Sequence, residues 1–335
     1  MVDSIKYIEI DGSVGSGGGQ LLRTALSLSA ILKKPFKIDK IRANRPKPGL
    51  FPQHLMCVRA AQKICNAKVE GAKLHSTELF FEPKGDIKPG RHEFLVKTAG
   101  SIGLIIQTVL PILSFAKEES SARITGGTHV TFSPTVSYID KVFLPAVQKM
   151  GIQAELKIKR YGFYPKGGGE VELFVKPAEL PLKGINLTKL MNAEDKPKAE
   201  ILLANLSEHI ADREKSIIKE YLSDISVEIK KPAAFSPGNI VFIYKENVGA
   251  TTLGERGVPA EEVAKKACEE FIEQSKYPLD QHLSDQLLLY MALSKERSEI
   301  LVHKITEHAK TNIWLIEKFM GRIFDTDGNK IIRKK

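Results

Sequence analysis

Asp11-Gly12-Ser13-Val14-Gly15-Ser16-Gly17-Gly18-Gly19-Gln20 puts five glycines within eight residues, between a strand-like and a helix-like stretch. Glycine lets a backbone approach a ligand closely, and the N–H groups at a helix N-terminus favour anions. A tight turn needs fewer glycines, so the segment reads as a contact for phosphate or nucleic acid. It is no Walker loop, because no Gly-Lys-Ser/Thr follows, and no clean dinucleotide fingerprint. A second candidate is Arg42-Ala43-Asn44-Arg45-Pro46-Lys47-Pro48-Gly49-Leu50-Phe51-Pro52-Gln53-His54, with three cations in six residues and prolines that stiffen the chain. Guanidinium forks and an ammonium suit phosphate oxygens; a solvated basic loop is the plainer alternative. The third is His308, in Thr306-Glu307-His308-Ala309-Lys310-Thr311-Asn312-Ile313, just ahead of the last expected helix and among residues able to cap it. An imidazole can be a base, a metal ligand or a nucleophile, although the local sequence reads first as a surface or capping histidine.

Two further glycine clusters are less telling. Gly126-Gly127-Thr128-His129 with Pro134, and Gly162-Phe163-Tyr164-Pro165-Lys166-Gly167-Gly168-Gly169, flank strands, and hairpin turns account for them equally well. Other chemistries find no footing. The eight histidines include no HxxxH or HExxH pair, no GxSxG elbow occurs, and Cys57, Cys65 and Cys268 form no CxxC pair. A zinc hydrolase, a serine hydrolase, a zinc site and a disulfide framework are therefore all unsupported.

The elements that must position these groups repeat along the chain. Segments 17–38, 100–125 and 284–302 each read as a capped apolar helix followed by a short strand. A second helix follows each, at 53–65, 137–150 and 311–319, and then a strand, at 67–70, 153–158 and 321–324. Alternating strand patterns at 5–10 and 91–97 precede the first two helix pairs. The unit is β-α-β-α-β, three times over, which predicts an α/β fold with two helices on a sheet in each unit. Pro111, late in its helix, should kink or end it. The third copy is delayed: the second ends near 170–175, yet the next helix starts only at Ser284. The stretch between has strand patterns at 200–206, 226–229 and 240–244 and helix patterns at 212–222 and 259–274. It predicts a small inserted α/β domain over 182–276, within a main body made of 1–181 and 277–335.

Length and charge agree with this outline. A chain of 335 residues suggests about two domains. Fifty basic against 40 acidic residues give a net charge of +10, which favours an anionic partner, nucleic acid or nucleotide first. The most apolar stretch, 102–115, is interrupted by Gln107 and Thr108 and is too short for a membrane span. No long apolar segment follows Met1, so no secretory signal is expected and the cytoplasm is the expected location.

In order and spacing, the motifs resemble the RNA 3′-terminal phosphate cyclase family over nearly the whole length. The resemblance rests on Asp11-Gly12, Gly17-Gly18-Gly19-Gln20, Leu22-Arg23, Ile41-Arg42-Ala43 with Arg45, Lys47-Pro48-Gly49-Leu50 and Gln53-His54. It continues through Ala99-Gly100-Ser101, Gln107-Thr108-Val109-Leu110-Pro111, Gly126-Gly127-Thr128, Gly162-Phe163-Tyr164-Pro165, Asp285-Gln286-Leu287 and His308 with Thr311-Asn312-Ile313.

The resemblance implies three repeated α/β units with a small insertion, and ATP-dependent conversion of an RNA 3′-phosphate end to a 2′,3′-cyclic phosphate. A histidine would attack the α-phosphorus of ATP, AMP would pass from it to the RNA 3′-phosphate, and the ribose 2′-OH would close the ring. His308 matches the nucleophile; Gln20, Arg23 and Gln107 match positions near the nucleotide phosphates. Arg42, Arg45 and Gln53 match the region that takes phosphate and RNA. Asp285 and Gln286 match the adenosine side, where Pro134 packs on the base. ATP and a divalent cation, Mg or Mn, are the implied cofactors, RNA with a 3′-phosphate is the implied partner, and a homodimer is among the oligomeric states left open.

Two positions depart from the family pattern. Ser16 stands where members usually carry a glutamate that looks like a metal ligand, and His282 stands where a tyrosine commonly stacks on adenine. Two alternatives are a non-catalytic RNA-binding relative in ribosome assembly, which would lack the histidine, and a transferase acting on a small phosphorylated metabolite.

Overall fold

The computed structural model describes residues 7–190 and 195–334. Its first unit runs β1 (Ile8–Asp11), α1 (Gly19–Leu32), β2 (Phe36–Asp39), α2 (Pro52–Cys65), β3 (Lys68–Glu70) and β4 (Leu79–Glu82). Ile5 and Lys6 of the strand expected at 5–10 lie outside the described residues. The second unit runs β5 (Gly90–Leu95), α3 (Ile102–Ser114), β6 (Ser120–Gly126), α4 (Val136–Tyr138), a π-helical turn (Ile139–Phe143), α5 (Leu144–Gln148), β7 (Gln153–Arg160) and β8 (Gly169–Lys176). After β9 (Asn186–Leu187) comes a separate set: β10 (Lys198–Ala204), α6 (His209–Tyr221), β11 (Ser226–Lys230), β12 (Gly238–Lys245), β13 (Val248–Leu253) and α7 (Ala260–Gln274). The chain then closes with α8 (Gln281–Leu293), β14 (Ser298–Leu301), α9 (Glu307–Met320), β15 (Phe324–Asp327) and β16 (Lys330–Arg333).

Three sheets have the same plan: orders β1-β2-β4-β3, β5-β6-β8-β7 and β9-β14-β16-β15, each with one parallel pair followed by two antiparallel pairs. The α/β class and its threefold repeat are as expected. The unit itself is β-α-β-α-β-β, one strand longer than the β-α-β-α-β expected. The extra strands β4 and β16 have four residues each, too few for an alternation to stand out.

The delayed third unit is explained by β9. Asn186 and Leu187 pair with Glu299 and Ile300 of β14, and Leu182 and Ile185 are buried in the main core. The chain thus serves the third sheet through Leu187, later than a boundary at 182 would have it. The intervening sheet, order β11-β10-β12-β13, carries α6 and α7 and has its own core, including Ile201, Ile243, Val263 and Phe271.

Two helices of the second unit differ from expectation. Pro111 does not end α3, which continues to Ser114, with the Thr108 and Ser114 hydroxyls donating to the Leu104 and Leu110 carbonyls. The single helix expected at 137–150 is interrupted by the π turn. Almost all of α3 is buried, because α1 and α2 both pack on it. Among the described residues no helix is long and apolar enough to cross a membrane.

Candidate active site

The glycine turn leads directly into α1, whose cap residue is Gly18. No side chain caps this end and its first turn holds no acidic residue, so the free N–H groups and the helix dipole favour an anion there. The turn needs glycine for room. Gly15 has φ +58°, and a Cβ there would lie 2.0 Å from Thr311 Oγ1 of α9; a Cβ on Gly19 would lie 2.4 Å from His54 Nε2 of α2. The Ser16 N–H donates to Thr311 Oγ1 (3.2 Å), and Asn44 Nδ2 donates to the Ser13 carbonyl (2.9 Å). The first unit's two loops and the N-terminus of α9 are thereby held together.

His308 occupies the first turn of α9. Thr306 is the cap, its Oγ1 accepting the Ala309 N–H at 2.8 Å. The helix begins at Glu307, four residues earlier than expected, so His308 is inside the helix rather than ahead of it. The half-buried imidazole places Nδ1 2.9 Å from Gln20 Oε1 on α1. A carboxamide oxygen only accepts, so Nδ1 carries the proton and the lone pair is on Nε2. Burial lowers the His308 pKa, and the charges of Arg45, Arg23 and His282 lower it further. The ring is neutral near pH 7.

Arg23, on α1, is held by burial at a lowered pKa. Beside it His54 accepts the Phe51 N–H on Nδ1 (3.4 Å), which leaves the proton on Nε2, toward Gly19. Burial, Arg23 and Arg42 push the His54 pKa down to about 3, so it is a neutral donor. Arg45 is exposed, with its guanidinium near Gly18. Arg42 braces the basic loop. Its guanidinium stacks 4.5 Å over Phe51 and donates to the carbonyls of Lys47 and Gly49, which closes the basic loop. Gln53 Oε1 accepts the Ser101 N–H (3.2 Å) and joins this loop to the start of α3.

Asp285 and Gln286 lie on α8. Asp285 accepts from Thr306 Oγ1 at 2.7 Å, and its backbone carbonyl accepts from Asn312 Nδ2 at 3.1 Å. Burial pushes its carboxyl up to about 6. Asp285 therefore sets the end of α9 that bears His308. Gln286 Nε2 donates to the His282 carbonyl, and its Oε1 is buried without a partner. His282 is exposed, its pKa raised by Glu270. Gln107 and Pro134 belong to the second unit, and among the described residues neither is hydrogen-bonded to His308. Gln107 precedes Thr108, whose carbonyl accepts from Ser27 Oγ of α1, and the Pro134 carbonyl lies against Gly103 of α3.

Several supporting residues escape sequence reasoning. His54, Thr311 and Asn44 lie inside recognisable motifs, but their partners are distant in sequence. Asp280 caps α8 by accepting the N–H groups of His282 and Leu283. The same buried carboxylate accepts from Tyr138 Oη of α4 and from the Gly249 N–H of β13. The other two glycine clusters are knitted to each other. Thr128 Oγ1 donates to the Gly162 carbonyl and accepts the Gly162 N–H, and buried His129 lies between Thr128 Oγ1 and Ser137 Oγ.

A protein-borne metal cage does not fit. Among the described residues no three His, Cys, Asp or Glu side chains converge on a point. Asp11, the acid of the glycine turn, is paired with Lys40 at 2.8 Å and accepts from Ser13. At position 16 there is a hydroxyl, buried and without a partner. What the cluster does offer is a neutral imidazole with an unprotonated Nε2, under the charge of Arg23 and Arg45, which lie with the His54 N–H beside the uncapped N-terminus of α1.

A family model described as RNA 3′-terminal phosphate cyclase matches residues 14–326. A protein of Pyrococcus abyssi named RNA 3′-terminal phosphate cyclase is 44% identical over 96% of this chain and 95% of its own length. Proteins of the same name from Archaeoglobus fulgidus (41%, over 98% of this chain and 100% of that protein) and Gloeothece citriformis (42%, over 93% of each) are similar as well. The solved structure of the enolpyruvyl transferase NikO from Streptomyces tendae aligns with 65% of this chain and 38% of its own, at 13% identity and a TM-score of 0.30, too low to inform the fold.

Proposed function

Because the chain belongs to the RNA 3′-terminal phosphate cyclase family, we propose that it closes RNA 3′-phosphate ends to 2′,3′-cyclic phosphates at the expense of ATP. The observation that carries this reading is the His308–Gln20 hydrogen bond. It leaves Nε2 unprotonated where the glycine turn, Arg23 and Arg45 converge.

A phosphate monoester dianion resists attack, and its oxygens leave poorly. His308 Nε2 attacks the α-phosphorus of ATP and expels pyrophosphate, forming a P–N bond. The RNA 3′-phosphate then displaces the imidazole and takes AMP as an anhydride. Finally the ribose 2′-OH attacks the 3′-phosphorus, loses its proton and releases AMP. Each displacement has a better leaving group than direct closure would have, and the last is intramolecular. Arg23, Arg45 and the N-terminus of α1 supply positive potential for charge that builds on phosphate oxygens. Gln20 keeps the imidazole in one tautomer, and Asp285 holds the turn on which it sits. The adenosine is assigned to the side of His282, Asp285 and Gln286. With a serine at position 16 and Asp11 paired with Lys40, a Mg or Mn ion would be carried in by the triphosphate and would offset its charge. A basic chain acting on RNA and ATP is proposed to work in the cytoplasm.

The test is retention of label from α-labelled ATP on purified protein beside a His308→Ala variant. Label on the wild type alone supports the reading. No label on either, with RNA still bound, would replace it with the non-catalytic RNA-binding relative.

A further inference from the structure

The turn over 162–169 takes no part in the adenylyl transfer proposed for His308, yet it adjoins the proposed RNA end. The Phe163 carbonyl accepts the Gly167 N–H at 2.8 Å, so Tyr164, Pro165 and Lys166 project at the tip. Tyr164 is 77% exposed. Phe235, 57% exposed, lies against Gly168, with the Arg160 guanidinium 5.0 Å above its ring. The Lys166 N–H donates to Ser236 Oγ, which ties the tip to the chain bearing Phe235. Among the described residues Lys166 has no ion-pair partner, whereas Arg160 donates to the Gly168 carbonyl and lies 3.8 Å from Glu170.

The patch is continuous with the site. Gln53 bonds Ser101, the Gly100 Cα lies close to Gln53, and Gly167 packs on Thr98 and Ala99. On the other flank of Tyr164 a cleft of about 1100 Å³ is lined by Phe163, Pro165, Leu206 and Pro259. Exposed rings interleaved with cations, on a chain of net charge +10, form a surface on which unpaired bases stack while phosphates meet ammonium and guanidinium groups.

We infer that Tyr164 and Phe235, with Lys166 and with Arg160 bracing the Phe235 ring, bind the single-stranded RNA upstream of the reacting 3′-end, entered from the site past Gln53 and residues 98–101. This rests on the RNA-cyclase reading and adds a base-stacking subsite to it. It predicts that affinity grows with RNA length beyond the last nucleotides, without base specificity, because every base presents a π-face.

The test compares wild type with Tyr164→Leu/Phe235→Leu, which keeps apolar bulk and removes the stacking faces, and with Lys166→Glu. Three quantities are measured: anisotropy of a fluorescent 12-nucleotide RNA, KM for cyclisation of a 12-mer and of a trinucleotide that both end in 3′-phosphate, and label taken from α-labelled ATP. The ring variant should weaken the 12-mer roughly tenfold or more in Kd and KM, with trinucleotide KM and labelling unchanged. Lys166→Glu should flatten the salt dependence of 12-mer binding. Unchanged 12-mer affinity would overturn the inference and leave the rings to a protein partner. Equal losses on both RNAs, or lost labelling, would also overturn it, since the turn would then act through the fold of the site. A wild type that takes label but neither binds nor cyclises RNA would overturn the parent reading, and the subsite with it.

Discussion

The His308 imidazole is tuned by neighbours that can be changed one at a time. Its pKa lies below the ordinary 6.5, so the unprotonated fraction is already high at pH 7 and falls only on further acidification. Arg45→Ala removes one charge that depresses it. Self-labelling by the variant should then need a higher pH, with its acid limb shifted up toward 6.5, as a rate profile between pH 5 and 8 would show. Gln20→Leu removes the acceptor that fixes the tautomer; labelling should slow by roughly ten- to a hundredfold, the order lost when a positioned group is removed, while the thermal midpoint stays near wild type. Ser16 behaves differently. Its hydroxyl is buried and unpartnered, so Ser16→Ala gives up no hydrogen bond and should leave labelling within about twofold. The types of these residues are legible in the sequence, and their pairing is not. Gln20 and His308 are 288 residues apart. No periodicity links them, and only resemblance to a family joins the two motifs in advance. The contacts of Arg42 with Phe51 and two loop carbonyls are likewise not legible in the sequence.

At the scale of elements, the start of α9 is decisive. Thr306 caps the helix and donates to Asp285, so Thr306→Val removes two bonds that hold His308 in place. The cost should be about 1 kcal/mol in unfolding free energy by denaturant titration, with a larger fall in labelling rate than a cap alone would give. Thr306 and Thr311 are both capping types, which is why the sequence leaves the helix start open. Thr311 proves to bond back to the Glu307 carbonyl and to accept the Ser16 N–H, and the second contact is tertiary. The long apolar runs of α1 and α3 are read correctly from pattern because burial on several sides leaves little room for polar residues. Strands of two to four residues, β9, β4 and β16, escape because they are defined by their partners and carry almost no pattern of their own.

At the scale of the whole molecule, Asp280 is where the second unit, the third unit and the inserted sheet meet. Asp280→Ala leaves the Tyr138 hydroxyl and the Gly249 N–H buried without an acceptor. We expect a loss of roughly 3 kcal/mol or more, read as a lowered thermal midpoint, before any effect on chemistry. Acid should loosen the fold through two buried imidazoles. His54 and His129 both have pKa values pushed down to about 3, whereas in the unfolded chain they titrate near 6.5. The unfolded state binds more protons between those values, so their stabilisation is complete above pH 6.5 and is lost as pH falls toward 3. Between pH 6.5 and 5 each should cost about 2 kcal/mol, and His129→Gln should flatten that slope in unfolding titrations. The insertion between β9 and α8 also governs the order of assembly. The Ile185 N–H waits for Ser298 Oγ, 113 residues further on. At about 5–20 residues per second of synthesis, the first strand of the third sheet leaves the ribosome roughly 5–25 s before its neighbour exists. The inserted sheet, complete by α7, is synthesised inside that interval, and the half of the site that carries His308 is made last.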